Sequence, residues 1–158
     1  MTKIKQAASE FLAHKRVAVT GVSRSASDHG SNFVYRRLRD RGYQVFAVNP
    51  NTDEVEGDHA YHDLGAIPGG VDAVVIGTRP ETADQTMREC AELGIKHVWM
   101  HRGPGHGSAS ETAAEYGREH GITVIDGGCP CMFEPTADAG HKAMRLVLTL
   151  RGNVPRRV

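Results

Sequence analysis

Five short apolar runs, separated by stretches with helical spacing, constrain the fold more than any other feature of this chain. They are Arg16–Thr20, Tyr43–Val48, Ala73–Ile76, His97–Met100 and Ile122–Ile125. Each is β-branched or aromatic and bounded by glycine, proline or a charge, as strands are. Their apolarity is continuous rather than alternating, so both faces must be covered, as in a parallel sheet between helices. The intervening segments predict helices over 31–41, 80–93 and 108–120, with only a weak, short one at 63–66. Val34 and Leu38 lie four apart with Gly42 as a stop, Pro80 opens a helix that Gly94 closes, and Ser108 or Ser110 caps one that ends at Gly121. Strand and helix in alternation predict an α/β fold: a single doubly wound parallel five-stranded sheet flanked by helices.

Two flanks complete this plan. Lys5 to His14 reads as an N-terminal helix, and Thr136 to Leu150 as a C-terminal one with Ala143, Val147 and Leu150 on one face, both expected to pack on the sheet. A chain of 158 residues suits one domain, placed at 1–150. The remainder, 151–158, has no periodicity and is expected to be a loose C-terminal tail, able at most to cover a neighbour in a homo-oligomer.

Charge and composition narrow the function. Lys+Arg 19 against Asp+Glu 19 leaves no formal net charge, so the footprint of a generic nucleic-acid or anionic-membrane binder is missing. No run of about 18 apolar residues is found, and Met1–Gln6 lacks the apolar stretch of a signal peptide, so a cytoplasmic protein with no membrane partner is expected. Cys90, Cys129 and Cys131 are too few for a disulfide framework, which fits free thiols in a reducing compartment.

In open α/β sheets ligands bind beyond the carboxyl ends of the strands, where the strand order reverses. The first strand ends in Gly21-Val22-Ser23-Arg24-Ser25-Ala26-Ser27-Asp28-His29-Gly30-Ser31, a small polar loop that opens a helix. Gly21 permits the tight turn, backbone N–H groups and hydroxyls can donate to phosphate oxygens, and Arg24 adds charge beside the helix dipole. A phosphate site is predicted here. It fits the dinucleotide fingerprint poorly, since Ser23 and Ala26 stand where the second and third glycines belong, and the second strand ends in Asn49-Pro50-Asn51 with Asp53 and Glu54 too far on. Nor does a Walker sequence ending in Lys-Ser or Lys-Thr exist.

The array Val19-Thr20-Gly21-Val22-Ser23-Arg24, Tyr43 to Pro50, Asp72 to Ile76 with Arg79-Pro80-Glu81, and Val98-Trp99-Met100 resembles the stand-alone CoA-binding proteins of prokaryotes. These are Rossmann-like domains related to the CoA-binding domain of the succinyl-CoA synthetase α subunit, and the resemblance extends over about residues 10–150. Gly128-Cys129-Pro130 to Pro135 and Gly140 to Arg145 are similar to the longer members. The resemblance implies coenzyme A, or an acyl-CoA, as ligand. Gly21, Val22, Ser23 and Arg24 would meet the phosphates, with Gly30 closing the loop. Asn49 and Pro50 would flank the adenosine, and Thr78, Arg79 and Pro80 would lie along the third strand's end. His101 stands where members commonly have Gln, before the glycine-rich Arg102 to Gly107. Cys129, just past the fifth strand, is expected to turn its thiol toward the end of a pantetheine arm. The synthetase's second domain with its phosphorylated histidine does not fit in this length, so binding without catalysis is expected, as a carrier, a sensor or a partner of CoA enzymes. The alternative is an NAD(P)-dependent oxidoreductase using the same loop, with Arg24 on a 2′-phosphate.

Other constellations carry less. His59, His62 and the set His97, His101, His106 lack zinc-ligand spacing, so no metal is expected. Ser23, His101 and Asp126 would make a hydrolase triad only with a Gly-x-Ser-x-Gly elbow that the sequence lacks. Arg36, Arg37, Arg39 and Arg41 read as a solvated helix face that pairs internally, through Asp40, rather than as a polyanion site.

Overall fold

The computed structural model describes residues 2–25, 30–105 and 107–158; Ala26 to His29 of the predicted phosphate loop, and His106, lie outside them. The described residues form helices α1 (Ile4–Ala13), α2 (Gly30–Asp40), α3 (Pro80–Glu92), α4 (Glu111–Glu119) and α5 (Ala139–Leu150). The strands are β1 (Arg16–Thr20), β2 (Gln44–Val48), β3 (Glu54–Val55), β4 (Asp58–Tyr61), β5 (Ala73–Ile76), β6 (His97–Met100) and β7 (Thr123–Asp126). They make one sheet in the order β3-β4-β2-β1-β5-β6-β7.

The predicted five-stranded parallel sheet is therefore corrected to a seven-stranded mixed one. All five apolar runs are strands and lie side by side, but β4 adds parallel to β2 and β3 adds antiparallel to β4. Counted in chain order, the six parallel strands run third, second, first, fourth, fifth, sixth, the Rossmann arrangement whose reversal falls between β1 and β5. The extra pair escaped prediction because Asp58-His59-Ala60-Tyr61 carries too little apolar signal, with only Ala60 buried. Its strand conformation comes from a partner: Ala47 and Val48 pair with Ala60 and Tyr61.

Alternation along the strands builds two cores. Val17, Val19, Ala73, Val75 and Trp99 face α1 and α2, while Ala18, Val74, Ile76, Val98 and Met100 face α3 and α4. Trp99 is fully buried, meets Phe11 edge-on at 5.4 Å and donates Nε1–H to the Gly127 carbonyl at 2.9 Å. Burying an aromatic of this size is worth about 2–3 kcal/mol by area, so β6 is fixed at the centre of the first core. The caps follow sequence: Ser110 accepts from the Ala113 N–H at the start of α4, and Pro80 occupies the first turn of α3.

Three expectations differ from the structure. The face of α5 expected to pack, Ala143, Val147 and Leu150, is exposed, and only Leu148 of that helix is buried. The segment 151–158 is not loose: Thr2 and Val158 exchange two backbone hydrogen bonds of 3.0 Å, and Val154 is buried. The arginines of α2, and Arg41 just after it, pair with other elements rather than with Asp40. Arg36 meets Glu56, Arg37 meets Asp138, and Arg39 meets Asp58, each at 2.7 Å, while Arg41 donates to the Pro135 carbonyl.

Candidate functional site

The reversal between β1 and β5 puts the β1 end, the β5 end and the start of α2 into close contact. Gly21 has φ +75°, and a Cβ added there would lie 2.5 Å from the Gly77 carbonyl oxygen. At Gly77 a Cβ would lie 1.9 Å from Ser31 Oγ and 2.6 Å from the Thr20 carbonyl oxygen. Only glycine lets the two strand ends approach so closely. Hydrogen bonds then seal the junction: Ser31 Oγ donates to the Gly77 carbonyl, and the Gly77 N–H donates to Thr20 Oγ1, both at 3.1 Å.

Two asparagines hold the loop above it. Asn49, at the end of β2, donates Nδ2–H to the Val22 carbonyl at 2.9 Å. Asn32, fully buried in α2, accepts from the Ser23 N–H at 2.8 Å and donates to the Ser23 carbonyl at 2.7 Å. The Ser23 N–H is thereby engaged, and its Oγ accepts from the Ser25 N–H at 3.1 Å while keeping a hydrogen to donate. Val22 is buried, whereas Arg24, Gly30, Pro50 and Arg79 are exposed. Neither Arg24 nor Arg79 pairs with a carboxylate among the described residues. Pro80 starts α3 on the same rim.

Thr78 supplies a second sign of ligand chemistry. Its carbonyl accepts from the buried Ser108 hydroxyl, but its own Oγ1 is buried with no hydrogen-bond partner among the described residues. Unsatisfied buried hydroxyls are costly and rare, and one at the carboxyl rim of the sheet is suited to hydrogen-bond a polar group there. The glycine cradle, the held loop and this orphan oxygen all fit a phosphorylated ligand laid across β1 and β5.

His101 is drawn under the start of α2, where a Cβ on Gly30 would lie 2.9 Å from its Cε1. Burial, then the nearby His141, push its pKa down to about 4, so the ring is neutral at pH 7. Cys129 is 4% exposed, within the first core. Its thiol is raised well above the ordinary range, first by the Cys131 sulfur and then by burial. The structure thus turns this thiol inward, and the neutral His101 offers it no charge that would favour a thiolate. Elsewhere, His62 meets Asp53 at 2.8 Å and His59 packs edge-on against Tyr61.

Sequence reasoning missed the residues that hold the loop rather than touch a ligand. Asn32, Ser31 and Ser108 are buried polar residues with defined partners. The available signal was a Ser-Asn pair at a helix start and a Glu-Gly turn dipeptide at 56–57.

A doubly wound sheet with a glycine-tight β1–β5 junction and a hydroxyl-rich loop before a helix defines a nucleotide-binding Rossmann-like domain. Residues 15–135 match the CoA binding domain, and the chain belongs to that family. It is 33% identical over 120 residues to the ADP-forming acetate–CoA ligase II of Archaeoglobus fulgidus, which covers 70% of this chain and 18% of the ligase. With the α subunit of the corresponding Pyrococcus furiosus ligase it shares 29% identity over 152 residues, 91% of this chain and 32% of that subunit. The chain therefore spans between about a fifth and a third of the length of these relatives. The solved structure of Prb, the PH1109 protein redesigned for binding, superposes with a TM-score of 0.70 at 25% identity, covering 78% of this chain and 84% of that one. No helix among the described residues is long and apolar enough to cross a membrane.

Proposed function

We propose that this protein binds coenzyme A or an acyl-CoA at the carboxyl rim of β1 and β5 and carries out no chemistry on it. The observation that carries this proposal is the loop Gly21–Ser25, pinned from below by Asn32 and Asn49 with the Arg24 guanidinium outside, in a chain of the CoA binding domain family. Pre-setting the backbone lowers the ordering cost of binding, and an exposed arginine on the loop favours phosphate oxygens. Arg79 supports the same charge from the β5 side, Thr78 Oγ1 offers a donor between them, and Asn49 and Pro50 border the adenosine. His101, neutral and packed on Gly30, lies toward the pantetheine side. With Asn49 spent on Val22, the β2 end presents no carboxylate to ribose hydroxyls, which disfavours NAD.

Thermal-shift titration with CoA, dephospho-CoA, NAD and NADP at equal concentration tests this, because a ligand bound only by the native state raises stability as RT ln(1 + [L]/Kd). CoA should give the largest shift. A larger shift with NADP would replace the proposal by the oxidoreductase alternative.

A further inference from the structure

Glu56 is the non-glycine residue with positive φ, +53°, among the described residues. With Gly57 at +78° it forms the two-residue turn between Val55 and Asp58, which pair across the β3–β4 hairpin. Turns with positive φ at both central residues favour Asn or Asp before Gly, and a glutamate there is strained. Its carboxylate accounts for its presence. Oε1 accepts from Asn32 Nδ2 and from Arg36 Nη1, both at 2.7 Å, and the side chain is only 10% exposed. The Glu56 carbonyl also accepts from Arg39 Nη1 at 2.9 Å, and Asp58 takes Tyr35 and Arg39 at 2.7 Å. Residues 32, 35, 36 and 39 fall on one stripe of α2, so that stripe grips the hairpin while Val34 and Leu38 face the sheet.

Asn32 is the link between this grip and the ligand rim. Its two amide hydrogens go to the Ser23 carbonyl and to Glu56, and its oxygen receives the Ser23 N–H. An amide turned the other way would set its oxygen against the Glu56 carboxylate, acceptor on acceptor, and lose both bonds to Ser23. We infer that Glu56 is a positioning residue for the ligand loop: the hairpin tip delivers a carboxylate that fixes the orientation of the Asn32 amide, and through it the Ser23 backbone. The inference rests on the proposal that this loop meets the phosphates of CoA. It gives the β3–β4 hairpin a role distinct from extending the sheet.

The variants Glu56→Asn and Glu56→Gln test it. Asparagine accepts the positive φ more readily but is too short to reach Asn32; glutamine keeps the length and one acceptor oxygen. For Glu56→Asn the relief of the positive φ offsets only part of the two lost carboxylate bonds, so the melting temperature should fall modestly, while the calorimetric Kd for CoA weakens by about tenfold, the loss expected of a loop no longer pre-set. Hydrogen exchange at the Ser23 amide should accelerate while the β3–β4 amides keep their protection, and Glu56→Gln should fall between wild type and Glu56→Asn on both readouts. A Glu56→Asn protein with wild-type Ser23 protection and a Kd within about twofold of wild type overturns the inference. So does a lower melting temperature with hairpin protection lost and no excess loss at Ser23, which would make Glu56 a purely structural residue. If wild type fails to bind CoA the functional proposal fails, while the Ser23 exchange still decides whether Glu56 positions the loop.

Discussion

His101→Gln should remove a defined part of the protein's acid sensitivity. The ring is half-buried beneath the first turn of α2, close to Gly30 and near His141, and its pKa is pushed down to about 4 from an ordinary value of 6.5. The helix N-terminus also disfavours a proton there. Because the folded pKa is depressed, the unfolded chain binds the proton more tightly. Stability from the neutral ring is thus fully present above pH 6.5, declines as pH falls, and levels off below about 4. Linkage with these two values gives a loss of about 2–3 kcal/mol between pH 7.5 and pH 4.5. His97, lowered by burial and by His14, and the carboxylates of Asp58 and Asp138, held below their usual range by hydrogen bonds, titrate in both proteins and drop out of the comparison. Urea unfolding at the two pH values, read as midpoint at constant slope, measures the difference. Wild type should lose more stability than His101→Gln by about 2–3 kcal/mol. Equal losses in the two proteins would refute the half-buried, neutral placement of His101.

Three other outcomes follow from the same geometry. Gly77→Ala should lose about 3 kcal/mol and about 6–12 °C in melting temperature, since its Cβ meets Ser31 Oγ and the Thr20 carbonyl, and CoA affinity should fall with it; differential scanning calorimetry and a binding titration check both. Arg24→Ala should weaken CoA by about tenfold in calorimetry, whereas Arg37→Ala, which loses Asp138 and the Thr136 carbonyl, should lower the melting temperature with CoA affinity within about twofold. The buried thiols should stay unmodified when the native protein is incubated with oxidised CoA at pH 7.5 and its intact mass is read: Cys90 is pushed up to about 12 and Cys129 well above the ordinary range. An adduct abolished by Cys129→Ser would contradict this.

The central sheet was legible because its five strands are buried on both faces and spell continuous β-branched runs, as in Val17-Ala18-Val19 and Val74-Val75-Ile76. β3 and β4 were not, because pairing with a neighbour rather than burial of their own side chains makes them strands. The α5 stripe misled for a related reason. Helical spacing shows that a face is apolar but not what covers it, and here Leu148 turns inward while Val147 and Leu150 face outward. At the candidate site the glycines and small residues of the first loop were readable as local chemistry. Asn32 and Glu56 lie 9 and 33 residues from Ser23 in sequence, and their roles arise only when α2 and the hairpin meet. The inward turn of Cys129 depends likewise on Cys131 and on core packing that no spacing encodes.

Amide chemical-shift mapping during a CoA titration tests the central claim most directly. The largest shifts should fall on residues 21–25 and 77–79, with smaller ones at Asn49 and His101, and the cleft of about 660 Å³ along the outer side of β7, lined by Arg118, Thr123, Asp126 and Arg157, should stay silent. Shifts centred on that cleft, with the β1 and β5 ends unmoved, would contradict the account.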